Sequence, residues 1–250
     1  MGGVLAVIPA RYGSTRLPGK PLAMVAGKPM IQHVYEGVKR AKRVTEVVVA
    51  TDDQRIVDAV RACGGNAVMT NPEARSGTDR VAEVAFANAE TVVINIQGDE
   101  PLVHPEMVDQ LAAFLEQNQS VPMASLMTRL RRAEDLANPN VVKVVIDREG
   151  FALYFSRAPI PWQRANPPAR PATEYVYKHL GIYGYQRDFV LRFPKLPPTE
   201  LEQLEQLEQL RALEHGHRIK MMETPHETFG VDTPEDLQKV DAMLATAKAR

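Results

Sequence analysis

Val4-Leu5-Ala6-Val7-Ile8, followed by Pro9-Ala10-Arg11-Tyr12-Gly13-Ser14-Thr15-Arg16-Leu17-Pro18-Gly19-Lys20-Pro21, is the stretch on which the fold turns. Five apolar residues bounded by Gly3 and Pro9 read as a short strand of a parallel sheet, buried on both faces. The loop after it then lies at the strand's carboxyl end, where open α/β sheets bind ligands. Gly13 and Gly19 let backbone amides approach an anion, and Arg11, Arg16 and Lys20 add the charge that phosphate oxygens require. The loop is not a Walker P-loop. Five residues separate Gly13 from Gly19, and Pro21 stands where the metal-binding hydroxyl belongs. Pro21 also disfavours a helical Lys20, so the loop is expected to leave the phosphate site extended, which argues against a GTPase or ATPase switch and leaves a plain basic surface loop as the alternative.

Working outward, strand-like runs alternate with helical patterns. Val47–Thr51, Ala67–Thr70, Val92–Gln97 and Pro122–Thr128 read as strands. Helices are predicted from Pro29 to about Arg43, up to Cys63, from Thr78 to Asn88 and from Pro105 to Gln117. This alternation signals right-handed βαβ units, hence an α/β fold with a Rossmann-like, mainly parallel sheet. The rhythm changes near residue 139. Val141–Ile146 and Phe151–Ser156 flank Asp147-Arg148-Glu149-Gly150, a hairpin-like turn, and Tyr177–Tyr185 returns as a strand. The expected organisation is one domain, 1–250, with a core over about 1–138 and 216–250 and an antiparallel insertion over about 139–215. A strand at Ile219–Glu223 and a helix capped by Thr233 with Pro234 in its first turn close the core.

Two features carry structural expectations. Leu201, Leu204, Leu207, Leu210 and Leu213 recur every three residues, so on one helix they drift by about 60° per step and cover a broad arc rather than a coiled-coil seam. Such an arc needs packing on more than one side, either within the chain or between the insertion and a second subunit of a homodimer. Cys63, the only cysteine, excludes an internal disulfide and a cysteine-based metal site, and reads as buried helix filler. A formal charge of -1 gives no general attraction for nucleic acid or membrane, so an anion must be held by a local cluster. With no long apolar span and no basic leader at the start, a cytoplasmic enzyme is expected.

The loop, with Gly27-Lys28-Pro29-Met30-Ile31, resembles the sugar nucleotidyltransferases, and most closely the 3-deoxy-manno-octulosonate (Kdo) cytidylyltransferases. Ser76-Gly77-Thr78-Asp79-Arg80, Asn95-Ile96-Gln97-Gly98-Asp99-Glu100-Pro101, Leu153-Tyr154-Phe155-Ser156-Arg157 with Ile160-Pro161-Trp162, Lys178-His179-Leu180-Gly181-Ile182-Tyr183-Gly184-Tyr185 and Gly230-Val231-Asp232-Thr233-Pro234-Glu235-Asp236-Leu237 extend the match nearly end to end. The resemblance implies an enzyme that couples CTP to a 3-deoxy sugar acid, releasing pyrophosphate, for lipopolysaccharide biosynthesis. It implies nucleotide binding by Ala10, Arg11, Gly13, Ser14, Arg16, Lys20, Ser76, Thr78, Arg80, Gln97 and Asp99. Sugar binding is implied for Gln97, Arg157, His179, Tyr183, Tyr185, Glu208 and Gln209, and catalysis for Asp99, Asp232, Lys20 and Arg11.

The residues themselves support part of this. Asp99 follows a buried strand and should emerge beside the phosphate loop as a hard oxygen ligand for Mg2+. Asp232, which the resemblance returns to the same edge, is the second candidate ligand, with helix-start chemistry as its plainer role. Glu100 is set aside, because one turn rarely aims two successive carboxylates at one ion. His179, Tyr183 and Tyr185 alternate along one strand face. Trp162 reads as packing for a proline-rich turn. His33, His104, His215, His217 and His226 have no converging partners in the sequence and receive no role. Two alternatives stay open: the same chemistry on an 8-amino Kdo analogue or a sialic acid, and a nucleotide-sensing module without turnover.

Overall fold

The computed structural model describes residues 2–13, 17–164 and 171–248, so Ser14, Thr15 and Arg16 of the loop and residues 165–170 of the proline-rich stretch lie outside the described residues. The strands are β1 (Val4–Ala10), β2 (Met24–Val25), β3 (Lys28–Pro29), β4 (Glu46–Thr51), β5 (Ala67–Met69), β6 (Val92–Asn95), β7 (Met123–Arg129), β8 (Lys143–Ile146), β9 (Ala152–Ser156), β10 (Tyr177–Gln186) and β11 (Ile219–Glu223). The helices are α1 (Met30–Lys39), α2 (Gln54–Ala62), α3 (Gly77–Phe86), α4 (Pro105–Gln117), α5 (Arg187–Arg192), α6 (Glu200–Glu205), α7 (Gln209–Glu214) and α8 (Pro234–Lys248).

The main sheet runs β11-β7-β10-β6-β1-β4-β5, with β8 and β9 attached beyond β10. β1 pairs in parallel with β4 and β6, β4 with β5, and β7 with β11. Every residue of β1 is buried, and its side chains alternate between two cores. Val4, Ala6 and Ile8 join α1, α2 and α4 on one face, whereas Leu5 and Val7 join α3 and α5 on the other. This two-sided burial is what a continuous apolar run between helical layers requires.

β10 changes the picture drawn from sequence. It was grouped with the insertion, yet it lies in the middle of the main sheet, antiparallel to both β6 and β7, while β8 and β9 hang from it. A local sequence pattern reports strand character but not neighbours. Between Leu180 and Tyr183 the strand bulges, advancing three residues while β7 advances one, from Leu126 to Ser125. Two extra residues preserve the alternation, so His179, Tyr183 and Tyr185 stay on one face, with ring centroids 5.3 and 6.2 Å apart in succession.

The leucine repeat is also corrected. It forms two short helices, not one, because Gln206 takes a left-handed conformation (φ 52°) and ends α6. The break resets the phase: Leu207 and Leu210 turn into the core, while Leu204 remains exposed. Thr199 and Glu202 cap α6 reciprocally, which fixes its start. Cys63 is half-buried at the end of α2, its Sγ 3.1 Å from the Val60 carbonyl, rather than buried filler. Trp162 is 84 % exposed, not the buried packing residue expected.

Candidate active site

The chain order sends β4 and β5 to one side of β1 and β6 to the other, so the carboxyl ends of β1 and β6 form a topological switch point. Pairing of β1 with β6 stops at Val7 and Asn95, whereas β1 continues beside β4 to Ala10. The two chains part there. Gly98 then passes against β1 so closely that a Cβ would lie 2.8 Å from the Pro9 carbonyl, which explains a glycine before Asp99.

Three distant segments meet at this edge. The loop does not leave extended: Gly19, in the left-handed region (φ 68°), turns it into a short 3-10 helix, Lys20–Leu22, with Pro21 in its first turn, and Lys20 reaches inward. Its Nζ donates to Asp99 Oδ2 at 2.6 Å and to Asp232 Oδ1 at 3.1 Å. The Val231 amide donates to the Asp99 carbonyl at 2.9 Å, so the backbones carrying the aspartates are themselves joined. The carboxylates are about a third and somewhat under half exposed, against 14 % for Lys20. Two converging carboxylates held together by one cation, with water at hand, form an oxygen donor set that fits Mg2+. Glu100 points the other way, into the interior, where burial first and Asp99 second push its carboxyl up to about 8. Thr228 hydrogen-bonds to that group. One turn thus aims its two carboxylates in opposite directions.

A cleft of about 360 Å³ opens beside this trio, between Pro9–Arg11 and Gln97–Asp99, with Ser76 and Gly77 as its far wall. Ala10 is buried, while Arg11 and Gly13 are exposed at the rim. The wall is the start of α3, where the Ser76 hydroxyl accepts from the Asp79 amide at 3.2 Å. A helix N-terminus favours an anion through its dipole and first-turn amides. Arg75, exposed on the same wall and held by Asp79 and the Pro194 carbonyl, is a cation the sequence reading did not single out. Arg80 differs from expectation. It lines the cleft but is 4 % exposed, and its guanidinium is committed to Asp52 at 2.5 Å, Thr70 Oγ1 at 2.6 Å and the Asn71 carbonyl at 3.1 Å. It braces α3 against the loops after β4 and β5.

Gln97 joins this cleft to a second polar region, because its Nε2 contacts Asn95 Oδ1 and the Gly181 carbonyl, each at 3.4 Å. Asn95 and Thr78 hydrogen-bond to Tyr185, and Thr78 Oγ1 donates to Glu208 Oε2. Burial, reinforced by Glu208, raises the phenols of Tyr183 and Tyr185 well beyond their ordinary range, so both remain neutral donors. Among the described residues, Glu208 Oε1 and Gln209 Nε2 are buried with no hydrogen-bond partner, the kind of orphans a polar ligand would satisfy. A second cleft of about 390 Å³ runs past Glu208 between α3 and α6–α7, sharing Arg75 and Ser76 with the first.

Arg157 and His179 stand apart from these openings. Arg157 Nε, Nη1 and Nη2 donate to the carbonyls of Glu205, Pro139 and Gln206. His179 is 8 % exposed, with Nε2 3.0 Å from Ser125 Oγ and its ring packed on Phe155 and Tyr183. Burial depresses it to about 3, which keeps it neutral. Two histidines passed over in the sequence do converge. His104 and His226 stack at 3.8 Å beside Glu106, brought together by the turn before α4 and the segment after β11.

The sequence model of the family described as cytidylyltransferase matches residues 5–219. The chain belongs to that family. It is 54 % identical over 243 residues to the 3-deoxy-manno-octulosonate cytidylyltransferase of Geobacter sulfurreducens, covering 95 % of this chain and 97 % of the relative. The protein of the same description from Geotalea uraniireducens is 52 % identical over 243 residues, with the same coverage. A solved CMP:2-keto-3-deoxy-manno-octonic acid synthetase complexed with CTP superposes with a TM-score of 0.91 at 46 % identity, over 98 % of this chain and 99 % of that one. A cytidylyltransferase from Leptospira borgpetersenii, at 17 % identity and a TM-score of 0.64, shares the fold, covering 98 % of this chain and 88 % of that one. The chain is therefore a nucleotidyltransferase, and its mainly parallel sheet with an antiparallel strand set is the family's architecture.

Proposed function

We propose that this enzyme couples CTP to 3-deoxy-D-manno-octulosonate, giving CMP-Kdo and pyrophosphate, in the supply of activated sugar for lipopolysaccharide. The observation that carries the reading is the meeting of Lys20, Asp99 and Asp232 at the mouth of a cleft walled by a helix N-terminus. The near-complete superposition on a synthetase holding CTP supports the choice of nucleotide.

In this scheme the sugar's anomeric hydroxyl attacks the α-phosphorus of CTP. The new bond joins that oxygen to phosphorus, the hydroxyl proton passes to water, the bond from phosphorus to the oxygen bridging the β-phosphate breaks, and pyrophosphate leaves. Arg11 and Lys20 hold the triphosphate, and the first turn of α3 with Arg75 provides further anion contact. Asp99 and Asp232 would hold Mg2+, which supplies charge stabilisation on the phosphate oxygens and acidifies the attacking hydroxyl. Gln97, Tyr183, Tyr185, Glu208 and Gln209 receive the hydroxyls of the acceptor, Glu208 and Gln209 through Oε1 and Nε2, which carry no hydrogen bond, Oε1 lying 3.8 Å from the Arg211 guanidinium. Arg157 and His179 act on the sugar side by fixing the 205–208 turn and the Tyr183 ring rather than by direct contact.

The unit in solution is proposed to be a homodimer. Glu205 ties α6 to Ser156 and Tyr154 of β9, and the neighbouring Leu153 and Leu204 are 61 % and 73 % exposed. Among the described residues no helix is long and apolar enough to cross a membrane, and a cytoplasmic site of action is part of the proposal.

The decisive experiment measures pyrophosphate release from CTP, Mg2+ and each of three acceptors: Kdo, its 8-amino analogue and a sialic acid. Fastest turnover with Kdo is expected. Preference for another acceptor would reassign the substrate, and no release from folded protein would leave a nucleotide sensor. Sedimentation showing only monomer at micromolar concentration would refute the dimer.

A further inference from the structure

We infer that His104, Glu106 and His226 form a second divalent-metal site, chemically distinct from the Asp99–Asp232 pair and selective for a borderline transition ion such as Zn2+. The three side chains come from two segments. His104 ends the turn that follows β6, Glu106 lies in the first turn of α4, and His226 follows β11. One ligand atom from each lies within 4.8 Å of the other two. The rings of His104 and His226 are nearly parallel, 3.8 Å apart at 11°. His226 Nε2 is 2.9 Å from Glu106 Oε2, and His104 Nδ1 is 3.9 Å from the same oxygen.

An ordinary histidine pair leaves something unexplained here. His104 Nδ1 is buried and has no hydrogen-bond partner among the described residues, although the Glu106 carboxylate lies just out of reach. An imidazole nitrogen so placed is either a lost hydrogen bond or a ligand atom awaiting an ion. Burial first, then His226, hold His104 below its ordinary range, so it is the neutral imidazole that binds metals. Arg40 nearby opposes a cation, and Glu106 offsets it.

Two nitrogens and a carboxylate oxygen suit zinc and its transition-metal neighbours and not Mg2+, which prefers an all-oxygen shell. Tetrahedral zinc with bonds of roughly 2.1 Å needs ligand atoms about 3.4 Å apart. The 2.9 Å separation must therefore open and the 3.9 Å separation close by roughly half an ångström each, and Glu106, 71 % exposed, can move. With three protein ligands the fourth position falls to water. A bound ion would clamp the segment leading away from Asp99 to the segment leading toward Asp232, stiffening the scaffold that brings the two aspartates together without touching substrate.

The test uses the full chain, stripped with chelator and titrated with Zn2+ by calorimetry, with Co2+ absorption as a geometric reporter and thermal unfolding as a second readout. Expected are one equivalent bound in the Asp99→Asn variant as in the parent, tetrahedral Co2+ bands, and a melting temperature raised by Zn2+. His104→Ala and His226→Ala should each weaken binding at least ~100-fold and remove the thermal shift, since loss of even an outer partner of a metal ligand costs up to about that much. Their pyrophosphate release with CTP, Mg2+ and Kdo stays within a fewfold of the parent. Zinc binding that survives both histidine substitutions, or that vanishes in Asp99→Asn alone, overturns the site. So does the absence of any binding by correctly folded parent protein. The binding and unfolding outcomes do not depend on the identity of the sugar.

Discussion

The two halves of the active edge are built on opposite principles. Around Lys20, Asp99 and Asp232 the charges are partly open to water and neutralise one another across segments that are far apart in sequence. Around Tyr185, Gln209 and His179 the polar groups are 1 %, 4 % and 8 % exposed, with Tyr185 bonded to Thr78 and Asn95 and His179 to Ser125. A triphosphate would bring charge and counter-ion with it, so the site proposed for it needs only cations, a helix end and carboxylates. A polyhydroxylated acid is distinguished from its relatives by directional donors, which must be locked before it arrives. Substitutions in the first half should therefore change rate with the fold intact, and those in the second should change stability as well.

The largest effect expected from this contrast is at Asp99. Asp99→Asn removes the charge proposed to hold the metal but keeps the shape, so pyrophosphate release should fall at least ~100-fold, roughly 3 kcal/mol of transition-state stabilisation, with little change in melting temperature. Near-normal turnover at saturating Mg2+ would sink the assignment of Asp99 as a ligand.

Arg157→Ala probes the other half. Its guanidinium bonds to three backbone carbonyls, so its removal should cost about 2–3 kcal/mol by urea unfolding. Sugar use should weaken because the 205–208 turn loosens, while KM for CTP stays near its parent value. An unchanged stability with a lost sugar response would mean that Arg157 leaves its carbonyls and contacts the acceptor directly.

Acid provides a gentler perturbation of the enclosed half. His179 titrates near 6.5 when unfolded and is depressed to about 3 by burial, so between those values the unfolded chain binds more protons. Its contribution is complete above pH 6.5 and is lost as pH falls toward 3, amounting to roughly 2 kcal/mol between pH 7 and pH 5. Unfolding of the parent and of His179→Phe, measured across that range, should show a steeper acid loss in the parent. Parallel curves would place the imidazole in water.

The same contrast governs what the sequence discloses. The buried run of β1, the aspartate at the end of β6 and the Pro105 helix start are local statements, and the structure has β1 at Val4–Ala10, β6 at Val92–Asn95 and α4 at Pro105–Gln117. The central position of β10 is not local, because pairing with β6 and β7 leaves no mark on the order of residues within it. Arg80 illustrates the limit for side chains. A helix-start arginine beside a phosphate loop looks like a ligand, but Asp52, its partner, belongs to the turn before α2 and is visible only in three dimensions. His104 and His226 fail for the same reason, each lacking a neighbour in sequence that would announce the other. The roles of the site residues toward nucleotide and sugar rest on placement and are for the substitutions above to decide.

The smallest effect concerns the turn that divides the leucine repeat. A period of three suggests one helix, and only the left-handed Gln206 prevents it, allowing Leu207 and Leu210 to pack while Glu208 and Gln209 face the polar region. A non-glycine residue in that conformation carries strain, partly offset here by the bond from Gln206 Nε2 to the Gln203 carbonyl at 2.8 Å. Gln206→Gly should therefore stabilise by about 0.5 kcal/mol, and Gln206→Val, β-branched and ill suited to positive φ, should destabilise by about 1 kcal/mol or more. If the break serves the sugar side, KM for the acceptor should rise in the valine variant and stay level in the glycine variant, with CTP unaffected in both. A valine variant as stable as the parent, with acceptor KM unchanged, would mean that the turn tolerates other conformations. The separation between the half proposed for nucleotide and the locked half proposed for sugar would then not extend to residue 206.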